Sequence, residues 1–401
     1  MGLNNTPLSE RIHIGIFGRR NAGKSSVINA MTGQNLAIVS DVAGTTTDPV
    51  QKAMELLPLG PVVMIDTPGL DDVGELGKMR VEKAYQVLQK TDIAIIVIDA
   101  SIGETAEDAA ILAEIQKRSI PYIIVKNKAD LTQKQDGENE IFVSAKTGEN
   151  ISVLKERIAA LAPKGEKERR IIGDLLEQND FVVLVVPIDS AAPKGRLILP
   201  QQQTIRDILE AGANAIVVRD SELQETLVSL GKRPRLVITD SQIFGKVSKI
   251  VPEDIPLTSF SILMARYKGN LEQNVKGART LEQLKNGDTV LISEGCTHHR
   301  QCEDIGTVKL PRWIQEYTGK ELQFQFTSGG TFPADLSPYA LIVHCGGCML
   351  NEKEMQHRLS IAKEQNANDE LRHLYRLHSW DSGKKPCAFG IIKNIKRKQT
   401  P

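Results

Sequence analysis

The chain has 401 residues, 41% of them hydrophobic, and its 50 lysine and arginine residues balance 50 aspartate and glutamate residues. This length predicts two or three domains, and the neutral charge argues against a general nucleic-acid-binding protein. Hydrophobic runs such as DIAIIVIDA are far shorter than the ~20 residues of a membrane-spanning helix, and the N-terminus lacks the hydrophobic core of a signal peptide. We therefore expect a cytoplasmic protein that binds neither membrane nor nucleic acid.

The first motif is a glycine-rich turn between a predicted strand and a predicted helix. RIHIG has the alternating isoleucines of a buried strand, and GRRNAGKS follows shortly after it, at 18–25. This segment matches G-x-x-x-x-G-K-[ST], in which backbone N–H groups and a helix N-terminus bind phosphates. Lys24 is expected to contact the β- and γ-phosphates, and Ser25 to bind Mg²⁺. The other residues of this turn expected at the nucleotide are Gly18, Asn21, Ala22, Gly23 and Ser26.

Four further segments follow in the order and spacing of a GTP-hydrolysing switch. GTTTD supplies Thr46 for Mg²⁺ and the γ-phosphate, and VVMIDTPG supplies Asp66 near Mg²⁺ and the Gly69 N–H for the γ-phosphate. In IIVKNKAD, the Asp130 carboxylate can accept two hydrogen bonds that guanine donates and adenine does not. FVSAKTG places the Ala145 backbone near the guanine carbonyl. The expected catalytic residues are Lys24, Thr46, Asp66 and Gly69. The remaining residues expected around guanine are Asn127, Lys128, Ser144 and Lys146.

These motifs resemble the TrmE and Era group of GTPases over about residues 8–162. The resemblance implies that Asn21 helps to bind a potassium ion that replaces an arginine finger, so that K⁺ accelerates hydrolysis. Leu70 follows DTPG where Ras-like proteins have a glutamine that orients water. Slow intrinsic turnover is therefore expected.

A second alternation of strands and helices begins near residue 173, after the charged linker APKGEKERR. FVVLVVP, NAIVV and RPRLVITD are β-branched runs typical of buried strands, and hydrophobic residues at helical spacing lie between them. This pattern predicts a second parallel α/β domain at 173–267. Further along, Phe260, Leu263, Met264 and Tyr267 share one helix face, which serves either the core or a homodimer contact.

All five cysteines lie in the last third of the chain. In an intracellular protein this favours metal or redox chemistry over disulfides. DTVLISEGCTH and SPYALIVHCGGC are each a hydrophobic strand followed at once by potential ligands. Because the carboxyl ends of neighbouring parallel strands converge on one crevice, the ligand groups of the two segments are expected to meet there. They are Cys296 and His298 from the first, and His344, Cys345 and Cys348 from the second.

The residues alone leave the kind of site open. Three thiolates with a weaker fourth ligand suit an iron–sulfur cluster that keeps an exchangeable position. A tetrahedral zinc ion could use the same thiolates and one histidine, and C-x-x-C on a strand-to-helix turn also fits a redox dithiol. The candidates for the weaker ligand are His298, His344, Glu303 and Asp304.

C-x-H followed by H-C-x-x-C behind a GTPase domain resembles the HydF family of [FeFe]-hydrogenase maturation GTPases, across all three predicted domains. The resemblance implies that Cys296, Cys345 and Cys348 hold a [4Fe–4S] cluster. It also implies a scaffold that hydrolyses GTP and carries a transient two-iron subcluster to the hydrogenase. The implied partners are the hydrogenase, the radical enzymes that build the subcluster, and a second copy of the chain.

The predicted architecture is α/β throughout. A P-loop GTPase domain at 1–165 precedes a parallel α/β domain at 173–267, assigned to dimerisation, and an α/β metal-cluster domain at 268–401. The expected cofactors are GTP or GDP, Mg²⁺, K⁺ and the [4Fe–4S] cluster. The alternative is a zinc-stabilised TrmE- or Era-like GTPase of RNA processing or modification, which a basic RNA-binding face would favour and the neutral charge does not.

Overall fold

The computed structural model of the chain divides into two compact units, residues 1–166 and 167–401. The residues that it describes are 6–33, 49–70, 74–131, 137, 139–162, 170–188, 197–268, 279–295, 305–345, 347 and 349–365. Within these ranges the strands form three sheets, one in the first unit and two in the second. No helix in the same ranges is long and apolar enough to cross a membrane.

The first unit is built on a six-stranded sheet with the order β2-β3-β1-β4-β5-β6. Its strands are β1 (Ile12–Phe17), β2 (Val50–Leu56), β3 (Gly60–Asp66), β4 (Ile93–Asp99), β5 (Tyr122–Asn127) and β6 (Glu140–Phe142). All neighbours are parallel except β2 and β3. The helices are α1 (Lys24–Thr32), α2 (Gly74–Val87), α3 (Ala106–Lys117) and α4 (Ile151–Ala160).

Both faces of this sheet are buried, which explains the continuous hydrophobic runs in its strands. Every residue of β4, IAIIVID, is buried. Alternate strand residues contribute to two separate cores. Ile14 and Ile16 pack in one core with residues of α1 and α4, and Ile65 packs in the other with residues of α2 and α3. The P-loop GTPase fold predicted from the motifs is thus confirmed.

The second unit begins with a four-stranded parallel sheet of order β10-β9-β7-β8. Its strands are β7 (Phe181–Val185), β8 (Asn214–Val218), β9 (Leu236–Thr239) and β10 (Leu257–Ser259). Its helices are α5 (Leu199–Glu210), α6 (Leu223–Ser229), α7 (Phe244–Ile250) and α8 (Phe260–Lys268). The first three strands are those predicted from the β-branched runs, whereas the short strand β10 was not predicted.

The hydrophobic face of α8 belongs to the core of this sheet. Phe260, Leu263 and Met264 are buried in one cluster with Val182 and Leu184 of β7. The interpretation as core is therefore confirmed, and the interpretation of this face as a homodimer contact is wrong. The physical reason is that α8 covers one face of the sheet, so these side chains are already buried within the same chain.

A three-stranded parallel sheet of order β12-β11-β13 completes the second unit. Its strands are β11 (Thr289–Glu294), β12 (Gln323–Ser328) and β13 (Leu341–His344), and its helices are α9 (Leu310–Thr318) and α10 (Glu352–Glu364). Val290 and Val343 pack on the α9 side, while Leu291 and Ile342 pack on the α10 side. The two strands that precede the cysteine motifs, β11 and β13, are direct parallel neighbours, as predicted.

Candidate nucleotide and cluster sites

The glycine-rich turn connects the end of β1 to the first residue of α1, as the motif predicts. Gly18 has a φ of +140°, and a Cβ there would lie 2.2 Å from the Val97 carbonyl oxygen. Gly23 has a φ of +92°, and a Cβ there would lie 2.2 Å from Asn127 Nδ2. Only glycine tolerates both this backbone and this approach. The loop therefore curves tightly in front of the N-terminus of α1, where phosphate binds.

Lys24 is buried and its ammonium is held by the loop itself. Its Nζ donates to the carbonyl oxygens of Gly18, at 2.9 Å, and Arg19, at 2.8 Å. These two bonds place the positive charge at the mouth of the loop. A lysine held in this position can contact the β- and γ-phosphates with little further movement.

Ser25 and Asp66 come together behind the lysine. Ser25 Oγ donates to Asp66 Oδ2 at 2.8 Å, and the buried Asp66 Oδ1 has no hydrogen-bond partner. Burial raises the pKa of Asp66, while the Ser25 bond and the nearby Lys24 charge lower it. A hydroxyl beside a carboxylate with one unused oxygen fits a hydrated Mg²⁺ ion. Thr46, the third predicted Mg²⁺ residue, lies outside the described residues; Gly69 lies just after β3.

The predicted guanine-binding loops are joined to the phosphate loop through Asn127. Its Nδ2 donates to the Ala22 carbonyl oxygen at 3.1 Å, and its Oδ1 accepts from the Ala145 N–H at 3.1 Å. Ser144 Oγ donates to Asp130 Oδ1 at 2.8 Å, which orients that carboxylate. The three motifs thus form one hydrogen-bonded site.

For four other residues expected at the nucleotide, the contacts in the structure do not assign a role. Asn21 is exposed in the phosphate loop with a φ of +60°, and Ser26 is half-buried on α1. Lys128 pairs with Asp99, and Lys146 is exposed. Leu70 is buried in the core of α2 and α3, so it presents no group to the nucleotide. That burial agrees with the absence of a water-orienting side chain at this position.

In the second unit, the ends of β11 and β13 bring a thiol between two glycines. Ser293 pairs with His344 in the register of the two strands. Cys345 Sγ accepts hydrogen bonds from the N–H of Gly295, at 2.9 Å, and of Gly347, at 3.4 Å. Burial holds the pKa of the Cys345 thiol above its ordinary value, although these two N–H groups lower it in part. Backbone donors of this kind stabilise a thiolate.

Apart from Cys345 and His344, the predicted cluster ligands lie outside the described residues. Among the residues that the structure describes, no three His, Cys, Asp or Glu side chains form a group that could hold a metal ion. The candidates outside that part of the chain are Cys296, Cys348, His298, Glu303 and Asp304.

His344 is 2% exposed, and both of its ring nitrogens have protein partners. Its Nδ1 lies 2.7 Å from the Cys345 carbonyl oxygen, and its Nε2 lies 2.9 Å from Arg358 Nη1. Arg358, which sequence reasoning missed, is 1% exposed. The available signal was its spacing, because Arg358 shares the buried face of α10 with Met355 and Leu359. A single arginine in a buried stripe implies a specific partner.

Lys268, the last residue of α8, is a second buried cation at the same loop. It is 2% exposed, and its Nζ donates to the carbonyl oxygens of Leu350, at 2.8 Å, and Gly347, at 3.4 Å. The segment around Cys345 is therefore hydrogen-bonded to Arg358 of α10 and to Lys268 of α8. The loop after β13 that carries Cys345, which we call the cysteine loop, is thus linked to the domain of the four-stranded sheet as well as to its own three-stranded sheet.

Comparison with known proteins places both parts of the second unit in one family. The hydrogen maturase F dimerization domain matches residues 171–269, and the hydrogen maturase F tetramerization domain matches residues 272–368. The chain belongs to the HydF family. In the first unit, the 50S ribosome-binding GTPase model matches residues 13–128, so this HydF-family chain carries a GTPase domain ahead of two oligomerisation domains. Tetramerisation was not among the sequence predictions.

The tRNA modification GTPases MnmE are relatives that match the GTPase part of the chain. The tRNA modification GTPase MnmE of Laribacter hongkongensis is 36% identical over 169 residues, covering 40% of this chain and 37% of that protein. MnmE of Chromobacterium violaceum is 35% identical over 158 residues, covering 38% of this chain and 35% of that protein. The chain thus spans little more than a third of the length of these relatives.

Solved structures show a weaker likeness. Era of Aquifex aeolicus, bound to GDP and aluminium fluoride, is 20% identical and covers 52% of this chain and 92% of that one, with a TM-score of 0.35. The cytosolic domain of the T. maritima iron transporter FeoB is 23% identical, covering 39% of this chain and 65% of that one, with a TM-score of 0.31. Such low scores add nothing to the fold described above.

Proposed function

We propose that this chain is a GTP-hydrolysing scaffold that binds a [4Fe–4S] cluster and delivers a two-iron subcluster precursor to an [FeFe]-hydrogenase. The observation that carries the proposal is the pair of hydrogen bonds to Cys345 Sγ. Their donors, Gly295 and Gly347, directly precede Cys296 and Cys348 in the chain. The sulfur of Cys345 is therefore hydrogen-bonded to the residues that directly precede Cys296 and Cys348. This arrangement supports a shared centre.

The chemistry of this donor set suits an iron–sulfur cluster. Backbone N–H groups that point at a cysteine sulfur stabilise its thiolate form, which is the form that binds iron. Three thiolates would hold the cluster, and the cluster would supply an iron with an exchangeable coordination position. His298, Glu303 and Asp304 remain candidates for a weak ligand at that position.

The experiment that tests the proposal is anaerobic reconstitution with iron and sulfide, followed by EPR of the reduced protein. We expect a cluster signal in the wild type and its loss in Cys345→Ala, together with a severalfold fall in bound iron, because one of three thiolates is removed. Cys302→Ala and Cys387→Ala, which change cysteines outside the motif, are the matched controls.

An unchanged signal in Cys345→Ala would remove this thiolate from the site and contradict the proposal. A colourless protein with one stoichiometric zinc would favour the zinc-stabilised alternative. The support for that alternative is confined to the GTPase part, because the MnmE matches cover 40% of the chain or less. The HydF-family domains at 171–368 favour the scaffold.

We propose in addition that hydrolysis is intrinsically slow and stimulated by potassium. An arginine finger raises the rate of GTP hydrolysis by roughly 10³–10⁵-fold. Because the potassium ion would take the place of such a finger, the rate of hydrolysis in K⁺ should be at least about ten times the rate in Na⁺. Asn21→Ala should abolish the difference. Asn179→Ala is the control, because Asn179 has the same left-handed backbone, with a φ of +66°, far along the chain from the phosphate loop. Equal rates in both salts would remove the potassium site.

The dimer is proposed to form along β8, an edge strand of the four-stranded sheet. The Asn214 N–H donates to the carbonyl oxygen of Asp180, the residue before β7. The Val218 carbonyl oxygen accepts from the N–H of Val186, the residue after β7. In a parallel strand every second residue forms its backbone hydrogen bonds with the same neighbouring strand. Since Asn214 and Val218 bond to β7, the N–H of Val217 points away from β7. An edge with outward N–H groups is a template for pairing with a second strand.

Val217→Pro should therefore weaken association, because proline removes an outward N–H group and leaves the bonds to β7 intact. We expect the molar mass from light scattering to fall by half at a concentration where the wild type is fully assembled. Val217→Ala, which keeps the N–H, should retain the wild-type mass. Association of the folded proline variant at wild-type strength would place the interface elsewhere.

A further inference from the structure

Arg358 is the most completely buried charged side chain at the cysteine loop. Its Nη2 donates to the Gly329 carbonyl oxygen and to Glu354 Oε1, both at 2.7 Å. Its guanidinium also lies over the Phe332 ring, 5.0 Å from the ring centre. The group is thus fixed by three partners before it reaches His344. A buried arginine fork held in this way has one geometry.

The second terminal guanidinium nitrogen, Nη1, determines which tautomer His344 adopts. A guanidinium only donates hydrogen bonds, so the 2.9 Å contact with Arg358 Nη1 requires a lone pair on His344 Nε2. The imidazole proton is then on Nδ1, which donates to the Cys345 carbonyl oxygen at 2.7 Å. Both nitrogens are used within the protein, and the single ligating lone pair of the ring, on Nε2, accepts from Arg358.

The pleat of the sheet agrees with this assignment. Side chains alternate between the two faces of a strand, so His344 shares the α10 face with Ile342, and Ser293 shares it with Leu291. Arg358 Nη1 contacts both partners of this register pair, since it lies 3.4 Å from Ser293 Oγ. His344 therefore points between the sheet and α10, on the side where Arg358 lies.

We infer that Arg358 is a positioning residue: it holds the His344 ring on the α10 face as the Nδ1–H tautomer and keeps it out of the coordination shell of the iron centre. The ring in turn anchors the Cys345 carbonyl and so sets where the loop begins. The part of the inference that concerns iron rests on the proposed function. The part that concerns the tautomer does not.

The first test uses the full-length, cluster-free chain labelled with ¹⁵N-histidine and measured by solid-state NMR. The chain has 7 histidines, and the resonances lost in His344→Gln identify the residue. We expect a neutral ring with Nδ1 protonated, and a changed pair of resonances in Arg358→Met. Lys363→Met, on the exposed side of the same helix, should leave them unchanged. A protonated Nε2, or a His344 spectrum that Arg358→Met does not alter, would overturn the inference.

The second test uses the reconstituted, reduced protein and nitrogen couplings from pulsed EPR. We expect His344→Gln to remove no strongly coupled nitrogen, whereas Arg358→Met, by freeing Nε2, should add a coupling or lower the iron content at least twofold. A strong coupling in the wild type that vanishes in His344→Gln would make His344 a ligand and overturn the inference. Failure of the wild type to take up a cluster would instead contradict the proposed function, and the NMR result would still stand.

Discussion

Lys24→Met is expected to lower the rate of GTP hydrolysis by roughly 10²–10³-fold, the usual cost of removing one preorganised donor from a developing charge. In the structure, the Lys24 ammonium is already fixed at the mouth of the phosphate loop by two carbonyl oxygens. It therefore meets the phosphates without first having to be ordered. Methionine has a similar length and no charge, so the fold of α1 should persist. The measurement is phosphate release under saturating GTP.

Lys117→Met is the matched control, because the same substitution then falls on an exposed helical lysine. It should hydrolyse GTP at the wild-type rate. If both variants kept the wild-type rate, the phosphate loop of this chain would not be the catalytic centre, and the hydrolysing role proposed for it would be wrong.

Asp130→Asn is expected to weaken GTP binding by roughly 10²–10⁴-fold, since two hydrogen bonds to a charged carboxylate are each worth about 1.5–3 kcal/mol. The variant should gain affinity for xanthosine triphosphate, because an amide can donate to the carbonyl that replaces the guanine amino group. The Ser144 hydroxyl, which donates to Asp130 in the wild type, can still donate to the carbonyl oxygen of the substituted amide. The fold of the loop is therefore preserved, and the change reports base recognition alone.

Asp254→Asn serves as the control, because it neutralises an exposed carboxylate outside the GTPase unit. Its nucleotide preference should remain that of the wild type. Competition of both triphosphates against a fluorescent nucleotide gives the ratio directly. An Asp130→Asn protein that still preferred GTP would place base recognition on the Ala145 backbone or another residue.

The GTPase unit was predictable because its chemistry lies in short, contiguous motifs. The spacing from Gly18 to Ser25 predicts a turn and a helix start from a short stretch of sequence, since the glycines permit the left-handed backbone that the turn requires. The hydrophobic runs of β1, β3, β4 and β5 are equally local, because strands buried on both faces carry the pattern in themselves.

That β11 and β13 are adjacent strands of one sheet was also predictable, because potential ligand residues directly follow each of them. The short strand β10 was not, because three residues carry too little pattern. For α8, hydrophobic spacing showed that one face is buried without showing against what. The structure assigns that face to the core, since Leu263 and Met264 pack within the four-stranded sheet's own cluster.

By itself, the sequence determined the phosphate loop, the guanine-specifying aspartate, the parallel α/β architecture and the two cysteine-bearing strand ends. Only the tertiary structure decided the surroundings of the cysteine loop. The spacing of Arg358 places it on the buried face of its helix without showing its partners, and Lys268 looks like an ordinary surface residue at a helix end. The burial of both depends on which elements pack together. A buried charge needs partners from distant segments, and no local pattern encodes where those partners will lie.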